Sequence, residues 1–555
     1  MGKTIKPLDR LFGLETELAI RHNQDSHWGG QGLNAEQIYQ EVCIEINKRT
    51  SIAPPQGEKS GIFLANGSVV WFERLLPWLK RGLLEVCTPE CKDPRELVAS
   101  HAAMDQIVAD ALHSCPPDTA LLKNCVDPNG ISYGCQENFE VEGFDDSEAK
   151  SWHRGMQLLK VLALGTMAMM AMVWILIPLL LKLPVLMLSA GAVFYAAACY
   201  GQRRWANFSD LFYYLVVFLL VPQAIAVSIF CRKQKIGRTY ETLKPFLFSR
   251  IVVNGSGGID NKGNFYLSQR AETRNTDWLV AFCSFQKAVF CFNHQFKNLC
   301  KPNGSKALSS QRQRLSIAIG DSNMSQEATW LKVATTCLVI DAIEAGFIRE
   351  VPRLKQPLKA LKKINQSPEL KATVDTSRGE MTAIEIQQFY LNACRQYVES
   401  FEDPPQQALD VLRTWSDVLM RLSTDIESLF GRVDWITKRQ VMRQLLESQR
   451  SKPATENINT AKEFANFNDL AALKKADLKY HELGSEGYYQ QLVDAGVCSN
   501  LIPSADCERA GRMPPTAVSA AQRCRYIREF GEQIEWITWD QVKLHGKAPV
   551  EFEQV

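Results

Sequence analysis

The sequence predicts an α+β protein interrupted by a helical membrane insert. Strand-like and helix-like segments alternate from residue 8 to about 145, the same mixture resumes after about 240, and the composition between Leu158 and Cys231 turns abruptly apolar. A chain of 555 residues can bury a large core divided among roughly two to four domains. Its 63 Lys+Arg against 61 Asp+Glu leave a net charge of +2, too balanced for wrapping a polyanion, so no nucleic-acid partner is expected. The 16 cysteines include no CxxC pair, and Cys87 and Cys91 lack a second ligand pair at zinc-finger spacing. The start MGKTIKPLDR has no apolar core of a signal peptide, so reduced thiols in the cytoplasm are expected.

Along the chain, LFGLETELAI, GIFLANGSVVWFE and LLEVCTPEC read as strands or strand ends, alternating or β-branched and punctuated by Asn-Gly or Pro. Helices follow, one from Ser325 to Ala345 closed by Gly346 and one over 382–400. In the second, Thr382 with Glu385 three residues later is a capping-box signal, and Ile386, Tyr390, Ala393 and Tyr397 form a core-facing stripe. The polar stretch at 449–464 reads as a loop. These elements divide into a first part at 8–150, the insert at 151–238, a second part at 239–475 and a small C-terminal domain at 476–555.

The insert holds three apolar stretches at about 158–181, 183–200 and 211–231, and the first and third reach the roughly 20 residues a bilayer requires. A soluble helix would show a polar face, and VLALGTMAMMAMVWILIPLLL shows none. Basic residues flank it at His153 and Arg154, at Arg203 and Arg204, and at Arg232, Lys233, Lys235 and Arg238. By the positive-inside tendency all three places face the cytoplasm. The expectation is a multi-pass protein of the bacterial inner membrane, with a hairpin turning at Lys182–Pro184, a third stretch re-entrant or interfacial near Pro222, and a cytoplasmic catalytic domain.

Glu15 and Glu17 are two apart, so on a strand both carboxylates leave one face. Magnesium with nucleotide phosphates would relieve their repulsion, because Mg²⁺ takes hard oxygen ligands; a solvent-facing strand edge would look the same. The same alternation aligns Val69, Trp71 and Glu73, leaving Glu73 either a desolvated base or a strand-end residue reaching solvent. Glu85 in LLEVCTPE poses the same choice. Several acids on neighbouring strands together favour a metal site.

Taken in order, GLETE (13–17), FLANG (63–67), EVCTPEC (85–91), KNCVD (123–127), SYGCQEN (132–138), LSQRAE (267–272) and GDSNMS (320–325) resemble the Pup ligase and Pup deamidase/depupylase family. The likeness resumes in DWITK (434–438), DLKYHE (477–482), RMPPTA (512–517) and TWDQVKL (538–544), and so covers nearly everything outside the insert. The resemblance implies a glutamine-synthetase-like fold, a curved antiparallel sheet cradling ATP and Mg²⁺. It implies an enzyme acting on the C-terminal Glu or Gln of a Pup-like modifier, or on its isopeptide bond to a target lysine, with a link to the proteasome and its ATPase. By the same resemblance Glu15, Glu17, Glu85 and Glu137 would be metal ligands, Thr88, Arg270 and Trp539 would contact nucleotide, and Glu73 would be the catalytic carboxylate.

The departures are Val69 for a nucleotide-contacting arginine, Trp71 for a metal-ligating tyrosine, Glu73 for aspartate and Gln136 for histidine. Glu keeps the carboxylate, whereas Trp offers no ligand oxygen. KNCVD, NGSGGI and PELKATV look like the deamidase and GDSNMS like the ligase, which leans towards the deamidase side or a divergent third branch. An amidoligase with another substrate and an inactive nucleotide- or modifier-binding membrane receptor are the alternatives.

Overall fold

The computed structural model describes residues 5–22, 33–57, 60–74, 82–127, 130–142, 235–277, 289–292, 312–449, 464 and 470–553, with 158, 161–162, 165, 169 and 172 inside the first apolar stretch. They fall into two compact units. One comprises Met1–Glu140, Glu241–Arg274 and Ser316–Val555, and the other Val141–Tyr240 and Asn275–Leu315.

The first unit is built on an antiparallel sheet of β1 (Phe12–Arg21), β2 (Ile52–Ala53), β3 (Gly61–Leu64), β4 (Val69–Arg74), β5 (Gly82–Cys87), β6 (Ala120–Leu122) and the start of β7 (Gln136–Glu142). Its strands run in the order β7-β1-β5-β4-β3-β2, and β6 also pairs with β1. In β1 the even-numbered residues Phe12 to Leu18 are buried and the odd ones between them are half-buried, the alternation a pleated strand requires. The β3–β4 hairpin turns at Asn66–Gly67, where Gly67 has φ +90° and the Asn66 Oδ1 accepts from Ser68 N at 3.0 Å.

Each face of the sheet has its own cover. Leu18, Leu84, Val86, Val70, Phe72, Ile62 and Leu64 pack against the helices Ala35–Arg49 and Pro94–Ala111. On the other face Ala53, Phe63, Val69 and Cys87 pack against Ile527, Ile534, Ile537, Val542 and Leu544. Those partners come from the helix Val518–Phe530 and the small sheet Ile534–Ile537, Gln541–Leu544, Val550–Glu551, so the C-terminal segment covers the apolar end of that face. The expected helices form at Gln326–Glu344, capped by Ser325, and Ala383–Glu399, where Thr382 and Glu385 make the reciprocal capping box. Ile386, Tyr390 and Tyr397 are buried there, while Ala393 is half-buried and Cys394 takes the core position beside it.

The inner-membrane placement is corrected. Among the described residues no helix is long and apolar enough to cross a membrane. A span needs about 20 apolar residues in one continuous helix, and high hydropathy in a sequence does not supply that continuity. Apart from the six positions named above, the three apolar stretches, the hairpin turn and most of the flanking basic residues lie outside the described residues, as does most of the expected loop at 449–464. None of the eleven cysteines whose side chains are described forms a disulfide.

Candidate active site

Cross-strand pairing decides which expected residues share a surface. Glu17 stands directly opposite Glu85, and Glu85 is opposite Trp71 on its other side, giving one row across β1, β5 and β4. Glu15 lies opposite Cys87 and, on the other side, Gln136. Glu73 is opposite Leu83, one row beyond Glu85. Since residues directly paired point to the same side, Glu15, Glu17, Glu85, Trp71 and Glu73 occupy one face. Carboxylates directly opposite one another repel, and Arg270 brings a positive charge beside Glu17.

Local contacts fix the carboxylates. Asn138 Nδ2 donates to Glu15 Oε1 at 3.0 Å, and Ser316 Oγ donates to Asn138 Oδ1. The Gly134 amide donates to Glu17 Oε2 at 2.7 Å. Burial pushes the Glu17 carboxyl above its usual range, the Arg270 guanidinium and the Gly134 N–H oppose that, and Glu73 and Glu15 add to it. Arg270 is buried and tied down by its Nε–H to Ala318 O at 2.7 Å. Thr88 Oγ1 accepts from Leu14 N at 3.0 Å, which pins the end of β5 to β1.

The aromatic edge follows from one glycine. A Cβ on Gly61 would fall 2.0 Å from Trp71 Cε3, so the indole lies flat over a position that must stay bare. Trp71 meets Phe63 edge to face at 5.8 Å, and Phe63 meets half-buried Trp539 at 5.4 Å. Val69 is fully buried in the apolar cluster beside Phe63.

Glu137 does not join the carboxylate row. It pairs with Leu14, one residue out of step with Glu15, and therefore faces the other side of the sheet. There Arg250 Nη1 and Nη2 donate to its two oxygens at 2.8 and 2.7 Å, with both side chains essentially unexposed. The expectation of Glu137 as a metal ligand is not met by this arrangement, because Arg250 already occupies both oxygens. Among the described residues no group of three or more His, Cys, Asp or Glu side chains is arranged to hold a metal ion.

Asn138 was legible in principle, since alternation puts it on the face of Gln136. Arg523 had no local signal. Its buried guanidinium binds Glu90 at 3.1 and 2.5 Å and lies 4.7 Å over the Trp539 ring.

The model of the family described as "Pup-ligase protein" matches residues 10–543. The chain is 24% identical to a Pup–protein ligase of Acidimicrobium ferrooxidans over 557 residues, covering 97% of this chain and 93% of the relative. It is 25% identical to a depupylase of Acidothermus cellulolyticus, over 90% of this chain and 78% of the relative, and 32% identical to a Pup deamidase/depupylase of Mycolicibacterium smegmatis over 54% and 56%. In fold it is similar to the ligase PafA in complex with Pup, with a TM-score of 0.65, 20% identity and coverage of 98% and 89%. A PafA structure in complex with ADP gives 0.59, 18%, and 96% and 93%. With an α+β architecture like that of PafA and a family match running through nearly its whole length, the chain belongs to the Pup-ligase family and is an enzyme of the Pup ligase/deamidase group.

Proposed function

We propose that this enzyme uses ATP and Mg²⁺ to act on the C-terminal Glu or Gln of a Pup-like modifier, forming or cleaving its bond to a target lysine, and so serves a proteasome- and ATPase-linked tagging route. The observation that carries the reading is the face on which Glu15, Glu17 and Glu85 stand together beside Glu73. Relatives named for opposite directions of the same modification, and a solved relative holding ADP, support it.

The donor set fits the ion. Mg²⁺ is usually held by one or two carboxylates with phosphate oxygens completing its shell, so no preformed three-residue cluster is required. Glu15, Glu17 and Glu85 would hold it, and bound there with ATP it would supply charge neutralisation at the phosphates. Thr88 and Trp539 would contact the nucleotide, the half-buried indole offering a flat apolar surface beside Phe63. Arg270, next to Glu17, would receive phosphate. Glu73, at the margin of the row, would take the proton from the attacking lysine amine or water.

A nucleotide- or modifier-binding role without turnover is the second reading. It is favoured by Trp71, an indole with no ligand oxygen directly opposite Glu85. The test incubates the full chain with ATP, Mg²⁺ and a modifier peptide ending in Gly-Gly-Glu or Gly-Gly-Gln, with and without a lysine acceptor, and follows mass and ADP. A new isopeptide marks a ligase and loss of the amide a deamidase. ATP binding with neither product establishes the second reading.

A further inference from the structure

We infer that Arg523 is a positioning residue of the nucleotide site, locking Trp539 to the loop that carries Thr88. The inference rests on the nucleotide reading above.

Arg523 lies in the helix Val518–Phe530 and is fully buried, far from Glu73 and the carboxylate pairs in sequence. Four attachments converge on its guanidinium. Nη1 and Nη2 donate to the two oxygens of Glu90 at 3.1 and 2.5 Å, and Glu90 follows Thr88 by two residues. Nη1 also donates to the Trp539 carbonyl at 2.9 Å. Nη2 reaches the Gly67 carbonyl in the β3–β4 turn at 3.3 Å. The planar group lies 4.7 Å over the Trp539 ring and 5.8 Å over Phe63.

One cation therefore joins three separate pieces of chain: the turn after β3, the loop after β5, and the C-terminal segment bearing Trp539. A planar fork can serve all of these at once, and an ammonium cannot. The turn is shaped to accept the helix. Gly67 has φ +90°, and a Cβ there would fall 3.1 Å from Cys524 Sγ and 3.8 Å from Ala520 Cβ. Among the described residues the Arg523 Nε–H has no hydrogen-bond partner, so the charge is met by Glu90, the two carbonyls and the ring faces. A contact that only fastened the C-terminal segment would not need to grip both the backbone and the ring of one tryptophan. Here the aromatic and the loop bearing Thr88, the two proposed nucleotide contacts, are referenced to the same charge.

The test compares wild type with Arg523→Lys, Arg523→Met and Glu90→Gln, using the full chain labelled with 5-fluorotryptophan. The Trp539 ¹⁹F resonance is assigned by its loss in Trp539→Phe. Arg523→Lys is expected to shift that resonance, leave those of Trp415 and Trp435 in place, and raise the KM for ATP roughly tenfold or more. The kcat and the KM for the modifier peptide should stay within a few-fold. Glu90→Gln should do the same more weakly and serves if the Arg523 variants do not fold. An unchanged ATP KM in a folded Arg523→Lys, or equal losses for ATP and modifier, would overturn the inference. If the wild type binds no ATP, the nucleotide reading itself falls, a result visible before any variant is made and therefore distinct from failure of Arg523 alone.

Discussion

Glu137→Gln separates the two roles that the sequence and the fold assign to one carboxylate. In the folded chain its oxygens accept two hydrogen bonds from Arg250, whose Nη1 also reaches the Lys332 carbonyl at 3.2 Å and the Thr336 hydroxyl. Arg250 is 1% exposed and Glu137 0%, so removing the charge of one takes from the other a bidentate ionic partner at a place out of reach of water. Breaking such a buried pair from one side costs about 3–5 kcal/mol. At about 2–4 °C per kcal/mol for domains of 150–250 residues, and less for a larger unit, the expected drop is on the order of 5–10 °C in Tm. Below that transition Mg-ATP affinity should stay within a few-fold, because Glu137 points away from the carboxylate row. Thermal scanning and ATP titration on Glu137→Gln, with Arg250→Met and the Glu137→Met/Arg250→Met double variant alongside, check both halves. The double variant should recover part of the loss. An unchanged Tm together with abolished Mg-ATP binding would make Glu137 a ligand and refute the pairing argument.

Glu15→Gln and Glu85→Gln should abolish Mg-ATP binding in calorimetric titrations, while Glu73→Gln should keep affinity within a few-fold and lower single-turnover rates by about 10²–10⁴-fold; unchanged turnover would remove Glu73 from the chemistry. Gly61→Ala should destabilise by about 1–3 kcal/mol in urea titrations, since its methyl must displace the Trp71 ring, and Gly61→Ala/Trp71→Tyr should recover part of that because the phenol is smaller. Glu17 gives a pH effect of definite sign. Burial raises its folded-state pKa above the unfolded value, so the native chain keeps the proton longer and stability falls as pH rises between the two values. Glu17→Gln should therefore gain Tm over wild type above that window and none below it, measured without Mg²⁺ from about pH 4 to about pH 8. A pH-independent difference between the two would count against the assignment.

What the sequence revealed is local. The alternation in LFGLETELAI, the Asn-Gly turn and the Thr382–Glu385 box are each set by residues within a few positions of one another, and each forms as read. That Glu15, Glu17, Glu85 and Glu73 share a face needed the register as well, which the motifs carried only by resemblance. Glu137 shows the difference. Alternation says that Gln136 and Glu137 face opposite ways, but only the pairing of Glu15 with Gln136 says which of them faces the row. The Arg523–Glu90 pair spans 433 positions and joins a helix to a loop, so nothing short-range could have announced it. Hydropathy pointed to an inner-membrane placement, whereas among the described residues no helix is long and apolar enough to cross a membrane.

Trp71 bears on how the site would bind its metal. The indole is built in: Gly61 clears the space beneath it and Phe63 meets its edge, continuing the aromatic line to Trp539. It fills the place in the row where a third oxygen would stand next to Glu85 and Glu17. With the carboxylates as the anionic donors on that row among the described residues and Glu137 turned away, protein oxygens leave the shell of an octahedral Mg²⁺ incomplete, and phosphate would supply the rest. Metal and nucleotide binding should therefore be strongly coupled here. Each would raise the affinity of the other by the same factor, as linkage requires. Titrating Mg²⁺ with and without ADP, and ADP with and without Mg²⁺, reads that factor twice. Tight Mg²⁺ binding in the absence of nucleotide would mean that the row completes the shell without phosphate, and the argument from Trp71 would fail.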